Sequence, residues 1–166
     1  MIKLRKIEPK DQERVLDILT DDVGKQTYML PDFINRNDAI PLFLRLSAMS
    51  DDPSVYVRAI DLNGSLIGFL NHTELQPDAI ELGYIIHPDF RHKGYMTQAL
   101  KLAIGELFAM GYRNILAGAF SCNAASIRVM EKCAMMRQQR LESIEYRGQT
   151  HECVYYSIRN QEETKC

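Results

Sequence analysis

The chain lacks the features that mark several classes of protein. Its 166 residues hold no apolar run near the roughly 20 residues of a membrane-spanning helix. Residues 1–14 lack the apolar core of a signal peptide, so we expect no export signal. The four cysteines form no C-x-x-C pair and the four histidines are scattered, which predicts that no metal is bound. We therefore expect a cytoplasmic protein with free thiols.

An excess of positive charge is also missing. The sequence has 20 Lys and Arg against 22 Asp and Glu, which gives a formal net charge of −2. Proteins that hold nucleic acid on a basic surface show the opposite balance. We expect neither nucleic acid nor a membrane as a partner.

No linker, internal repeat or low-complexity segment interrupts the chain. Hydrophobic residues make up 46% and charged residues 25%, as in an ordinary globular protein. The length and the absence of a linker predict one domain over residues 1–166.

Hydrophobic periodicity predicts strands and helices in the order β α α β β β α β α β β. The strands are expected over residues 2–7, 55–60, 65–70 (with 71–75 as an extension), 79–86, 114–120, 141–146 and 151–158. Helices are expected after Asp11 as a cap, over residues 38–49, from Gly94 to a stop at Gly111, and after Asn123 as a cap. This order predicts an α/β (α+β) fold in which a mixed, twisted sheet has helices on both faces.

The stretch from Glu81 to Phe108 organises the rest of the chain. An apolar strand ends at Pro88, a short basic loop follows, and Gly94 precedes an amphipathic helix. Free N–H groups at a helix N-terminus attract anions, and a glycine lets a phosphate approach the backbone. The pattern predicts a pyrophosphate site, although it has neither the Walker motif nor the three-glycine dinucleotide motif. An ordinary basic loop with a tight turn is the alternative.

Two motifs carry a resemblance to a known family. Residues 91–96, RHKGYM, resemble the R/Q-x-x-G-x-G/A signature of the GNAT superfamily of N-acetyltransferases, and the preceding strand is similar to that family's fourth strand. Residues 123–132, NAASIRVMEK, resemble the N-x-x-S-x-x-x-x-E-K helix of the branch that acetylates ribosomal-protein N-termini and of its small-molecule relatives. The final hairpin is also similar to that branch. Three positions differ: Met96 replaces a Gly or Ala, Ala134 replaces a helix-ending Gly, and Met135 replaces the usual Phe after it.

The resemblance implies a GNAT-like sheet of about seven, mostly antiparallel strands. It also implies transfer of acetyl from acetyl-CoA to a primary amine, on a protein N-terminus or a small molecule, by direct attack. A non-catalytic CoA-binding or sensor module is the alternative. An amine substrate is the expected partner, and a homodimer is left open.

The resemblance further implies a set of cofactor-binding residues. The pantetheine arm would lie between the splayed fourth and fifth strands, with backbone groups near Ile86 and His87 polarising the thioester carbonyl. The full set is Ile86, His87, Arg91, His92, Lys93, Gly94, Tyr95, Met96, Thr97, Asn123 and Ser126. Met96 either crowds the loop or points into the core, and Asn123 either contacts the cofactor or only caps its helix.

Catalytic roles are implied for two residues. Glu81 interrupts an apolar strand and is the expected base, or else a solvent-facing strand residue. Ser126 is expected to donate to the departing thiolate, or only to serve the first turn of its helix. We expect Cys122 to be a small buried hydrophobe rather than a nucleophile. Tyr84 and the segment over residues 28–33 either line the amine site or belong to the core.

Overall fold

The computed structural model of the chain describes residues 1–162. Contacts divide it into two compact units. Unit 1 comprises Met1–His72 and Tyr84–Ala99, and unit 2 comprises Thr73–Gly83 and Leu100–Cys166, of which residues 163–166 lie outside the description. In residues 1–162 no helix is both long and apolar enough to cross a membrane.

The order of elements agrees with the order predicted from the sequence. The described residues contain seven strands: β1 (Ile2–Arg5), β2 (Val57–Leu62), β3 (Ser65–Leu75), β4 (Ala79–Ile86), β5 (Asn114–Phe120), β6 (Met136–Tyr146) and β7 (Gln149–Arg159). They also contain four α-helices: α1 (Gln12–Leu19), α2 (Ile40–Asp51), α3 (Tyr95–Ala109) and α4 (Ala124–Lys132).

The strands form one mixed sheet in the order β1-β2-β3-β4-β5-β7-β6. The β4–β5 ladder is parallel, whereas β1–β2, β2–β3, β5–β7 and β6–β7 are antiparallel. The prediction of a mixed, mostly antiparallel sheet of about seven strands is therefore confirmed.

Unit 1 is built around the apolar faces of α1 and α2. Residues such as Leu16 and Phe43 are buried against strand residues such as Val57 and Phe69. A two-residue turn, Asn63-Gly64, joins β2 to β3, with φ of 52° and 91°. Both residues accept the left-handed conformation that such hairpin turns require. The predicted strands, 55–60 and 65–70, left four residues between them, and the turn is shorter because Leu62 still pairs with Ser65.

The sequence predicted that the Asp11 side chain caps α1, and this prediction is wrong because that side chain makes no capping hydrogen bond to the helix. Its carboxylate accepts hydrogen bonds from the Arg5 guanidinium at 2.7 and 2.9 Å and from the Glu8 N–H at 2.8 Å. These bonds close a 3-10 turn over Pro9–Asp11 that leads into the helix. The predicted cap is wrong because Arg5 binds the Asp11 carboxylate instead. The position of Arg5 is set by β1, which the pattern around Asp11 does not show.

Unit 2 contains the hairpin of β6 and β7, which meet at Arg147-Gly148. The strand β6 begins at Met136, five residues before the predicted start at Leu141. The register shifts between Arg137 and Leu141, and such a bulge breaks the alternation from which a strand is recognised. Only the regular half of β6 was therefore visible in the sequence.

Helix α4 ends at an alanine in a glycine-like conformation. Ala134 has φ of 61°. The Met135 N–H donates to the Met130 carbonyl and the Ala134 N–H to the Glu131 carbonyl, the two bonds of a Schellman motif. The helix thus has the end that a glycine usually forms, and the left-handed backbone of Ala134 is strained by its Cβ.

Candidate active site

The loop between β4 and α3 is built by a short chain of local bonds. His87 follows β4, and its N–H donates to the Ile67 carbonyl at 2.7 Å. The Asp89 N–H donates to Nδ1 of His87 at 3.2 Å, which starts a 3-10 turn over Pro88–Phe90. The His87 side chain is buried, so it fixes the start of the loop.

Two left-handed residues turn the loop into α3. His92 has φ of 60° and Gly94 has φ of 76°. A Cβ placed on Gly94 would have no neighbour within 4 Å among the described residues. The first N–H groups of a helix have no partner inside it, and α3 begins at the next residue, Tyr95. Open space therefore adjoins the positive end of a 15-residue helix.

The basic side chains of this loop differ in their partners. Arg91 donates to Oδ2 of Asp21 at 2.6 Å. Lys93 donates to the Asp89 carbonyl at 2.8 Å and lies 5.5 Å from the centre of the Phe90 ring. His92 is exposed. Two of the three predicted phosphate ligands are thus held by groups of unit 1.

The remaining predicted residues of this segment lie around the helix start. Met96 is 8% exposed, so its side chain belongs to the core and does not crowd the loop. Tyr95 and Thr97 are half-buried, and the Tyr95 ring lies 6.4 Å from that of Phe90. Ile86 is half-buried at the end of β4.

In unit 2, Asn123 caps α4. Its Oδ1 accepts the Ser126 N–H at 3.1 Å, and the Ser126 side chain is half-buried. Cys122, in the turn before the helix, is exposed, so the expectation of a buried residue was wrong. A turn between a strand and a helix projects its side chains outward, and sequence neighbours do not reveal this. Cys133 and Cys153 are buried free thiols, and Cys166 lies outside the described residues.

Glu81 on β4 lies in a polar network of unit 2. Its side chain is 16% exposed, and its oxygens accept from the Thr73 hydroxyl at 3.2 Å and from Arg140 at 3.3 Å. Arg140 also bonds Glu142 at 2.9 Å. Glu142 in turn accepts the Tyr155 hydroxyl at 2.6 Å.

The ladder between β4 and β5 is short. It pairs Ala79–Leu82 with Asn114–Ala117, whereas β4 runs to Ile86 and β5 to Phe120. Glu81 lies in its paired part, opposite Leu116.

The model of the acetyltransferase (GNAT) domain family matches residues 2–136. The chain belongs to the GNAT family of acetyltransferases. This membership confirms the family and the acetyltransferase activity predicted from residues 91–96 and 123–132. No curated protein matches the chain.

Solved structures share the GNAT fold at low sequence identity. A GNAT-family acetyltransferase from Bacillus anthracis has a TM-score of 0.81 at 22% identity, covering 95% of this chain and 94% of that chain. RimL, a ribosomal L7/L12 alpha-N-protein acetyltransferase in complex with coenzyme A, has a TM-score of 0.83 at 16% identity, covering 95% and 93%. The microcin C7 self-immunity acetyltransferase MccE, in complex with acetyl-CoA and AMP, has a TM-score of 0.83 at 17% identity, covering 96% and 92%. These similarities confirm the predicted fold.

Sequence reasoning missed the partners of the predicted GNAT residues. Arg140 and Glu142 lie two residues apart on β6, and this i, i+2 spacing is the one sequence signal that both face the same side of the sheet. Asp21, the partner of Arg91, carried no signal, because 70 residues separate the two.

The aromatic segment near residue 30 contributes to the core of unit 1. Tyr28 donates from its hydroxyl to Asn71 at 2.6 Å, and Tyr28 and Phe33 pack against the buried cluster. Met29 and Ile34 are 53% and 93% exposed. The aromatic side chains thus fit the core alternative. Tyr84 is half-buried.

Proposed function

We propose that this GNAT protein transfers the acetyl group of acetyl-CoA to a primary amine, on a protein N-terminus or a small molecule. The observation that carries the proposal is the turn at Gly94, where a left-handed glycine opens space at the N-terminus of α3. Two solved neighbours hold coenzyme A or acetyl-CoA, which supports acetyl-CoA as the acetyl donor.

The pyrophosphate is assigned to the loop and first turn of α3, residues 91–97. N–H groups there and the helix dipole favour an anion, and Gly94 keeps the approach open. Arg91 and Lys93 add positive charge, and exposed His92 lies between them. Met96 contributes backbone and core packing, because its side chain is buried.

The pantetheine arm is assigned to the end of β4. Both backbone groups of His87 already have partners, since its N–H donates to Ile67 and its carbonyl accepts from Phe90. We expect backbone groups near Ile86 and His87 to polarise the thioester carbonyl, and the partners of the His87 backbone favour Ile86 for this role. Ile86 is the residue of that pair to which we assign the contact with the arm.

The chemistry requires a neutral amine, because only a lone pair can attack the acetyl carbon. As the C–N bond forms and the C–S bond breaks, one amine proton goes to Glu81, directly or through water. The departing thiolate receives a hydrogen bond from Ser126. The limited exposure and two hydrogen bonds of Glu81 support a positioned carboxylate over a solvent-facing residue.

A thiol-release assay with acetyl-CoA and a panel of amines and short peptides tests the proposal. We expect release of free CoA that depends on at least one amine. Calorimetry with CoA, run in parallel, identifies the alternative: tight binding without release for any amine would indicate a non-catalytic CoA-binding module.

Three further expectations stay predictions. They are a cytoplasmic location, a single domain over residues 1–166, and a homodimer as the assembly left open. Light scattering on the purified chain measures its mass in solution and decides between monomer and dimer.

A further inference from the structure

Helix α1 and the turn after it contact the cofactor loop through a row of three polar side chains. The Arg14 guanidinium lies 5.6 Å from the centre of the Phe90 ring. Oδ2 of Asp17 lies 3.4 Å from Nε2 of His87. Asp21, in the turn after α1, bonds Arg91 at 2.6 Å. Arg14 and Asp17 have the three-residue spacing of one helix face, so these two side chains and Asp21 all contact the loop over residues 87–91.

Asp21 serves two partners with one oxygen atom. Its Oδ2 accepts from Arg91 at 2.6 Å and from the Gly24 N–H at 2.8 Å. The Asp21 and Arg91 side chains are 17% and 23% exposed, so water competes little for this bond. A Cβ on Gly24 would lie 3.0 Å from Oδ2 of Asp21 and 3.1 Å from Arg91, which shows how closely the three groups pack.

A guanidinium has five N–H donors in a rigid planar fork, and a carboxylate that holds one edge fixes the plane. An anion can then bind the other donors without first ordering the side chain. The same carboxylate also carries negative charge, which would repel a pyrophosphate nearby. Orientation and repulsion therefore predict opposite effects when Asp21 is removed.

We propose that Asp21 is a positioning residue that orients Arg91 toward the pyrophosphate and couples this contact to the turn at Gly24. The turn begins the segment, residues 21–37, that follows α1 and exposes Met29 and Ile34. This inference rests on the proposed function, because it takes Arg91 as a ligand of acetyl-CoA.

Calorimetry with CoA on five variants tests the inference. We expect Asp21→Ala to weaken CoA binding by about tenfold, the size of one charged hydrogen bond. Asp21→Asn keeps an oxygen acceptor and should weaken it by less than about threefold. Asp22→Ala is the matched control, because it removes the same charge one residue away from a side chain that is 95% exposed. The affinity of this variant for CoA should equal that of the wild type.

The other two variants, Arg91→Ala alone and Arg91→Ala with Asp21→Ala, separate orientation from other effects. In an Arg91→Ala background, Asp21→Ala should cause no further loss, because the side chain that it orients is absent. At saturating acetyl-CoA we expect kcat of Asp21→Ala to stay within about twofold of wild type while KM for acetyl-CoA rises. Should Asp21→Ala fail to fold, Arg91→Lys replaces it: a lysine lacks the planar fork and should show the same loss.

Three results would overturn the inference. Unchanged or tighter CoA binding by Asp21→Ala, next to normal wild-type binding, refutes it and leaves the proposed function intact. An equal loss in the wild-type and Arg91→Ala backgrounds also refutes it alone. Absence of CoA binding by the wild-type protein overturns the proposed function, and this inference with it.

Discussion

Glu81 on β4 and Arg140 on β6 form an ion pair, with 3.3 Å between Oε2 and Nη1. The guanidinium of Arg140 also lies 3.7 Å from the centre of the Tyr155 ring and bonds Glu142. Burial raises the pKa of Tyr155, and its bond to the Glu142 carboxylate raises it further, so its hydroxyl stays protonated near neutral pH. The candidate base, Glu81, therefore belongs to a network in which Arg140 and Tyr155 are hydrogen-bond donors.

Glu81→Gln should lower kcat by about 100-fold or more, the usual contribution of a general base, with CoA affinity unchanged. Thiol release and calorimetry measure the two quantities. Glu142→Gln is the matched control, because it removes a carboxylate from the same guanidinium but leaves Glu81 in place. An equal loss in both variants, or a Glu81→Gln rate equal to wild type across pH, would assign Glu81 to the network alone.

Gly94→Ala should weaken CoA binding, because its Cβ would enter the space assigned to the pyrophosphate. Gly148→Ala is the control for backbone strain, since φ is 73° there against 76° at Gly94 and neither Cβ would meet a described atom within 4 Å. Both variants should lose about 1 kcal/mol of stability from the left-handed alanine. Calorimetry should find weaker CoA binding in Gly94→Ala only, and equal affinities would argue against this placement.

Asn123 can be tested by separating its cap from a cofactor contact. Asn123→Ala should lower the free energy of unfolding by about 1 kcal/mol, because the Ser126 N–H loses its acceptor. Asn123→Asp keeps the cap and should restore stability in urea unfolding. If Asn123 also contacts CoA, the Asp variant should still bind CoA more weakly; full recovery of binding would mean that capping is the whole role.

Ala134→Gly should stabilise the protein. An alanine with φ of 61° carries about 1 kcal/mol of strain that a glycine at this position avoids. For a chain of this size we expect the Tm to rise by about 2–4 °C. Ala48→Gly, at an exposed site inside α2, should lower it by a similar amount, and a fall in both variants would contradict the account of the α4 end.

Asp61 should make the free energy of unfolding depend on pH in the acid range. Burial raises its pKa, but hydrogen bonds from Arg5 at 2.7 Å and from the Gly64 N–H at 2.8 Å outweigh this, so the pKa lies below its usual value. A lowered pKa stabilises the fold above the unfolded value of about 3.9 and loses that effect as the pH falls through the folded value.

The comparison of wild type with Asp61→Asn isolates this effect, because other carboxylates titrate in both proteins. Asp61→Asn should be less stable by about 1–3 kcal/mol at pH 7, as for a lost charged hydrogen bond. Urea midpoints should converge as the pH falls below about 4. A difference that stays constant down to pH 2 would contradict the assigned pKa direction.

The sequence by itself determined the order of elements, the family and the place of the loop before α3. Local patterns suffice for these, because periodicity, the Asn63-Gly64 turn and the two motifs act over a few residues. The Asn123 cap was predictable for the same reason, since it acts on the N–H three residues away.

Tertiary structure alone decided which groups the candidate residues contact. Arg140 reaches Glu81 across 59 positions and Asp21 reaches Arg91 across 70. Pairing of strands and packing of α1 on the loop set these distances, and no local pattern encodes them. Dependence on residues distant in sequence also explains three differences from prediction. They are the missing side-chain cap at Asp11, the early start of β6 and the partner of the His87 N–H.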